Sequence, residues 1–119
     1  MATQSEGDIS RAIRHAVEDM PEVERLFRVQ SGMLRVKGGF LHCAPTGTSD
    51  LFGFCRHGIA IGIEVKKPGE KPTPSQVSFL TALAESGGVA IVAHSVDEAR
   101  SAIVLACRRH DIADGVTAS

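Results

Sequence analysis

Gly47-Thr48-Ser49-Asp50-Leu51-Phe52-Gly53-Phe54-Cys55 and Ile59-Ala60-Ile61-Gly62-Ile63-Glu64-Val65-Lys66, joined by Arg56-His57-Gly58, form the stretch on which the fold turns. Side chains of a strand alternate faces with period two. Read from Gly58 to Lys66, the second segment puts Ile59, Ile61, Ile63 and Val65 on one face and Ala60, Gly62, Glu64 and Lys66 on the other. Asp50 to Cys55 reads as a second strand, and Arg56-His57-Gly58 suits a three-residue hairpin loop. That loop fixes a register: Asp50 opposite Glu64, Leu51 opposite Ile63, Phe52 opposite Gly62, Thr48 opposite Lys66. Like charges directly opposed in an antiparallel pair destabilise it, so two facing carboxylates call for a cation. A hard divalent ion such as Mg²⁺ takes one or two carboxylates together with water and phosphate oxygens, which suits Asp50 and Glu64, with Lys66 pointing at the same phosphate.

Downstream, Thr73-Pro74-Ser75-Gln76 is a helix start with Thr at the N-cap, Pro at N1 and Gln at N3 of a capping box. Val77, Leu80 and Ala84, with Phe79 and Leu83, make its buried side, and Gly87-Gly88 closes it. Upstream, Thr3 with Glu6 or Ser5 with Asp8 opens a first helix on which Ile9, Ala12, Ile13, Ala16, Val17 and Met20 recur at helical spacing before Pro21. Glu6 falls on that apolar stripe. It is either a first-turn acid favoured by the helix dipole or a third site carboxylate.

The remaining segments follow the same logic. Arg25 to Gln30 and Phe40 to Ala44 read as strands, with Met33 to Lys37 a loop or short strand between turn signals. Val89 to Ala93 is an unalternating apolar run, as expected of a central strand buried on both faces. Ser95 with Glu98 caps a last helix bearing Ala99, Ala102, Ile103 and Ala106, and the polar tail from about residue 110 is expected to be flexible. The order of helix, three strands, helix, strand and helix predicts one α/β domain spanning 1–119, a mixed sheet flanked by helices with a C-terminal helix.

Asp50, Glu64 and Lys66 together resemble the Asp…Glu-x-Lys signature of the PD-(D/E)XK nuclease superfamily. Gly47-Thr48-Ser49-Asp50 with Glu64-Val65-Lys66 and Gln76 resembles specifically its VRR-NUC (virus-type replication-repair nuclease) branch, over roughly Glu6 to Glu98. The resemblance implies a restriction-endonuclease-like αβββαβ core and Mg²⁺ or Mn²⁺ held by Asp50, Glu64 and the backbone carbonyl of Val65. It also implies that Glu6 joins the metal site, through water, and that Gln76 stands beside the catalytic strand. Small stand-alone members from phages and bacteria resemble structure-selective endonucleases that dimerise and cut four-way (Holliday) junctions. The expectation is therefore a homodimeric endodeoxyribonuclease that hydrolyses phosphodiester bonds of branched DNA. Lys66 would either activate the attacking water or stabilise the pentacoordinate phosphate.

Duller readings stand beside these. Glu64 and Lys66 can form the solvated side of an edge strand, Asp50 can be a turn residue, and Gln76 can simply cap its helix. The chain can be a catalytically silent module that binds branched DNA or a replication or repair partner, or an α/β domain of unrelated function.

Composition narrows the classes. Hydrophobic residues at 43% and charged residues at 23% of 119 describe an ordinary globular domain. Five Phe and no Trp or Tyr argue against base stacking on aromatic platforms. A net charge of −1 runs against backbone binding to nucleic acid, yet bases gather at Arg25, Arg28, Arg35 and Lys37 and at Lys66, Lys67 and Lys71. Arg28, Lys67 and Lys71 are candidate DNA contacts, with His42 beside them. Cys43, Cys55 and Cys107 lack Cys-x-x-Cys spacing, which points to a reducing compartment and away from zinc. His15, His94 and His110 lack ligand spacing and His57 reads as a loop residue. The N-terminus lacks signal-peptide character and no apolar run spans a membrane, so a cytoplasmic protein with no membrane partner and no nucleotide cofactor is expected.

Overall fold

The computed structural model describes residues 4–113, except for the side chains of His42 and of residues 109–113. The expected tail beyond residue 113 lies outside the described residues.

Capping chemistry starts the first helix, α1 (Glu6–Glu18). The Ser5–Asp8 box forms: the Ser5 hydroxyl accepts from the Asp8 N–H while the Asp8 carboxylate accepts from the Ser5 N–H; Thr3, of the other candidate box, lies outside the described residues. Ile9, Ile13 and Val17 are its buried stripe. The chain then gives strands β1 (Val23–Arg28), β2 (Met33–Val36), β3 (Gly39–His42), β4 (Leu51–Cys55) and β5 (Ala60–Val65), helix α2 (Pro74–Glu85), strand β6 (Val89–Ala93) and helix α3 (Val96–Ala113). Helical structure thus continues past residue 110 to Ala113.

The main sheet has the order β1-β4-β5-β6, antiparallel except for the parallel pair β5 and β6. The β4–β5 register is the one predicted, with Leu51 opposite Ile63 and Phe52 opposite Gly62. Its loop is a single 3-10 turn, Arg56–Gly58, in which His57 (φ 67°) and Gly58 (φ 73°) both take the left-handed conformation. The Cys55 N–H closes it onto the Ile59 carbonyl at 2.8 Å.

Helices α1 and α3 pack on one face of this sheet and α2 on the other. On the first face Leu51, Ile61, Ile63, Val65, Ile91 and Ala93 meet Ile9, Ile13, Ala99 and Ile103 in one continuous core. On the second, Phe79 of α2 sits edge-on to Phe52, with ring centroids 6.2 Å apart. Strand β5 lies between two neighbours and is buried from Ile61 onward, so Glu64 and Lys66 are not the solvated side of an edge strand. Burying every Ile of β5 supplies the driving force that holds two charged residues in the interior.

Strands β2 and β3 are the departure from the predicted order. They pair only with each other, Met33 with His42 through Val36 with Gly39, so Met33 to Val36 is a strand, and the αβββαβ core is made by α1, β1, β4, β5, α2 and β6. The hairpin is joined to the body through Gly32, Cys43, Ala44 and Gln30 backbone hydrogen bonds. The molecule measures 53 × 37 × 24 Å with a radius of gyration of 15.1 Å, above the roughly 13–14 Å of a compact domain this long. Met33, Leu34, Val36, Phe40 and Leu41 are all exposed on the hairpin.

Candidate active site

The loop before β4 is built around two close approaches. Gly47 has φ +93°, and a Cβ there would stand 2.5 Å from the Ser75 carbonyl oxygen in the first turn of α2. Both facts demand glycine. Thr48 turns the chain by donating its N–H and hydroxyl to the Pro45 carbonyl, at 3.1 and 2.6 Å. Ser49 is fully buried and donates to the Leu51 carbonyl at 3.1 Å. Its Oγ lies where a side chain on Gly62 would project, 2.7 Å from an ideal Cβ. The Gly-Thr-Ser-Asp loop is thereby seated between α2 and the centre of β5, and Asp50 is delivered to the end of the sheet.

Asp50 is half-buried and fixed from both ends. Its Oδ2 accepts from the Val65 N–H at 2.9 Å, and its backbone carbonyl accepts from the Val29 N–H at 2.8 Å. Within a strand the N–H and C=O of one residue point to the same side, so the Val65 carbonyl faces the Asp50 side as well. The neighbouring Lys66 N–H points the other way, to the Ala93 carbonyl at 3.0 Å.

Glu64 is 1% exposed and neither of its carboxylate oxygens has a hydrogen-bond partner among the described residues. The Lys66 ammonium is 3.8 Å from its Oε1, an ion pair too long to be a hydrogen bond. Burial pushes the Glu64 carboxyl up to about 8, the neighbouring Asp50 carboxylate raises it further, Lys66 opposes the shift and Glu6 adds to it. Two ionised carboxylates offer each other only acceptors, so this pair needs a proton or a cation between them. Among the described residues no three Asp, Glu, His or Cys side chains converge on one point. The Asp50 and Glu64 carboxylates and the Val65 carbonyl present only hard oxygens, a chemistry that fits a divalent ion keeping several waters better than zinc.

The other expected residues divide. Arg28 and Glu6 share with Asp50 a cleft of about 380 Å³ that is also lined by Gly7, Ser10, Arg11 and Arg14. Gln76 closes the capping box of α2, its Oε1 accepting from the Thr73 N–H at 2.8 Å. Its amide Nε2 has no acceptor among the described residues. Lys67 and Lys71 lie on the loop after β5 and do not line the cleft. The side chain of His42 lies outside the described residues. His94 forms no part of the cleft; it pairs with Glu98 at 2.9 Å, and that carboxylate together with the Glu70 carbonyl raises its pKa. Sequence reasoning missed Ser10, Arg11 and Arg14. Their signal was present: with Glu6 and Gly7 they recur at helical spacing beside the apolar stripe of α1.

No protein-family model matches the chain, and no curated protein is similar to it in sequence. A solved structure of a VRR-NUC domain protein superimposes with a TM-score of 0.61 over 88% of this chain and 89% of that one, at 18% sequence identity.

Proposed function

We infer that this chain, which has the fold of a VRR-NUC domain protein, is a metal-dependent nuclease of the PD-(D/E)XK type. The observation that carries the reading is Glu64: a buried carboxylate on a central strand, both oxygens without a hydrogen-bond partner among the described residues, with Asp50 beside it and Lys66 3.8 Å away. A purely structural glutamate so placed would leave a buried polar group unsatisfied, at about 1–3 kcal/mol or more. Such groups cluster where chemistry is done.

Asp50, Glu64 and the Val65 carbonyl would hold Mg²⁺ or Mn²⁺, with Glu6 reaching it through water. A bound divalent ion supplies Lewis-acid polarisation of the phosphate and an activated water. The chain's own residues do the rest. Asp50 is oriented by the Val65 N–H, so its carboxylate does not have to be ordered when substrate arrives. Lys66 brings an ammonium to the same end of β5, where it orients the attacking water or stabilises charge on the scissile phosphate. The Gln76 amide is left to position a phosphate oxygen while its carbonyl holds the helix start.

The substrate proposed is branched DNA, four-way junctions first, cut by a homodimer. The projecting β2–β3 hairpin supports the dimer: an isolated two-stranded hairpin is marginal in water, and this one exposes Phe40 at 62% and Met33 at 59%. A second copy laid on it would bury that surface and set two sites for paired nicks under two-fold symmetry.

The test is cleavage of labelled four-way junction, flap, nicked and linear duplex DNA with Mg²⁺, Mn²⁺ or EDTA, by wild type and Glu64→Gln. Metal-dependent paired nicking of the junction, lost in Glu64→Gln, is expected. Junction binding without cutting would instead indicate a catalytically silent module, and a chain that neither binds nor cuts would refute the reading.

A further inference from the structure

We propose that the cleft between α1 and the end of β1 is a second phosphate subsite, in which Arg14 anchors a phosphodiester of the cleaved strand next to the scissile one. This rests on the nuclease reading and concerns residues outside the proposed metal ligands.

The cleft is continuous with the candidate site, because Asp50 and Glu6 are among its lining residues. Three of the other lining residues are basic. Arg11 and Arg14 come from one face of α1 and Arg28 from the last position of β1, where it pairs with Leu51, the neighbour of Asp50. With Arg11 neutralised by Asp8, Arg14 and Arg28 balance Asp50 and Glu6, and a divalent ion on the carboxylates would leave the cleft positive. That field suits an anion.

The three arginines are not equivalent. Arg11 is already paired, to Asp8 of the first turn. Arg14 and Arg28 make no ion pair among the described residues, and the Arg14 Nε is buried without an acceptor. A guanidinium held at the edge of a cleft with an unused donor is poised for a ligand bearing acceptors. A modest rotation of the side chain into the cleft presents its Nε–Nη edge, which matches two oxygens of a phosphate. Ser10, on the same helical face, adds a hydroxyl. Gly7 leaves the wall open beside them: a Cβ there would touch only Ser5 and Arg11, at 3.8 and 4.0 Å. A volume of about 380 Å³ accommodates a phosphodiester and its waters but leaves no room for a duplex, so the occupant is a single backbone segment running past Asp50.

The shape explains how a chain of net charge −1 grips nucleic acid. Basic groups need not dominate the whole surface when three converge on one strip.

The experiment measures DNA binding in EDTA, where no cleavage occurs, by fluorescence anisotropy of a labelled four-way junction across a salt series. Wild type, Arg14→Ala, Arg14→Lys and Arg100→Ala are compared, the last altering an exposed arginine of α3. Arg14→Ala is expected to weaken binding between about ten- and a hundredfold. It should also lower the slope of log K against log salt by about one phosphate contact. Arg14→Lys should restore the slope but only part of the affinity, and Arg100→Ala should match wild type.

A junction carrying one neutral methylphosphonate, moved along the strand, then locates the phosphate. One position next to the cut should weaken wild type and leave Arg14→Ala unaffected, a result that a folding defect cannot imitate. Should Arg14→Ala fail to fold by circular dichroism, Arg14→Lys with the methylphosphonate series carries the same comparison. An Arg14→Ala chain with wild-type affinity and slope would overturn this subsite and leave the nuclease reading standing. A wild-type chain that binds no DNA at any salt would overturn both.

Discussion

The carboxylate of Asp50 accepts a hydrogen bond from the backbone N–H of Val65 at 2.9 Å. The residue that opens β4 is therefore tied to the strand that carries Glu64, and the two carboxylates are brought together by backbone rather than by flexible side chains. Asp50→Asn keeps an acceptor for the Val65 N–H but removes the charge. It should hold stability within about 1 kcal/mol while lowering the cleavage rate at least a hundredfold. Asp50→Ala should lose that rate and also about 1–2 kcal/mol of stability. Denaturant unfolding alongside metal-dependent cleavage separates the two effects.

In the metal-free chain Glu64 sets a pH dependence. Its folded pKa of about 8 lies above the ordinary 4.5, so the folded state binds the proton more tightly. The stabilisation is fully present below about 4.5, falls as pH rises, and is gone above about 8. Thermal melts in EDTA should therefore fall between pH 5 and 8.5 in wild type and much less in Glu64→Gln. At pH 8.5 Glu64→Gln should melt a few degrees higher, since about 1 kcal/mol corresponds to roughly 4–8 °C in a domain near this size. Mn²⁺ should raise the melting temperature of wild type at that pH and not that of the variant. A flat wild-type profile would mean that Glu64 is not held as described.

Gly62 and Gly47 are packing positions of the site. A Cβ on Gly62 would meet Ser49 Oγ at 2.7 Å and Leu83 Cδ2 at 2.8 Å, and one on Gly47 would meet the Ser75 carbonyl at 2.5 Å with φ already +93°. Gly62→Ala, which meets side chains that can shift, should cost about 1–3 kcal/mol. Gly47→Ala, which meets backbone and is strained besides, should cost more, and should reduce activity by moving Asp50. Urea unfolding ranks the two; the reverse order would refute this account of the loop.

Gln76 caps α2 and, on the proposed function, positions a phosphate oxygen, two roles that one substitution divides. Gln76→Glu retains the acceptor that closes the capping box with Thr73, so stability should change by under about 0.5 kcal/mol. The amide Nε2 is lost and a charge appears beside the phosphate. Cleavage should drop tenfold or more, and unchanged cleavage would confine Gln76 to capping.

The hairpin tests the dimer. Sedimentation equilibrium of wild type should give twice the chain mass, and Phe40→Asp with Leu41→Asp should give a monomer with unchanged far-ultraviolet circular dichroism, because neither side chain belongs to the core. Junction nicking should then become unpaired. A wild-type monomer would remove the dimer from the proposal.

Much of this was legible in the sequence wherever the cause is local. The β4–β5 register follows from period-two alternation and a loop of fixed length, and the α2 start follows from Thr73, Pro74 and Gln76, all within one turn. The juxtaposition of Asp50 and Glu64 comes with that register. What only the tertiary structure decided depends on segments distant in sequence. Strand β6 pairs beside β5 and converts Glu64 and Lys66 from a possible solvated edge to buried charges. The β2–β3 hairpin leaves the sheet because β1 bonds directly to β4. Arg28 reads from the sequence as a candidate DNA contact while Arg11 and Arg14 draw no reading, and the three line one cleft only when α1 is docked by Ile9, Ile13 and Val17 beside the end of β1. Alternation and capping act over a few residues and are written in order along the chain, whereas burial and convergence are set by which surfaces the core pulls together.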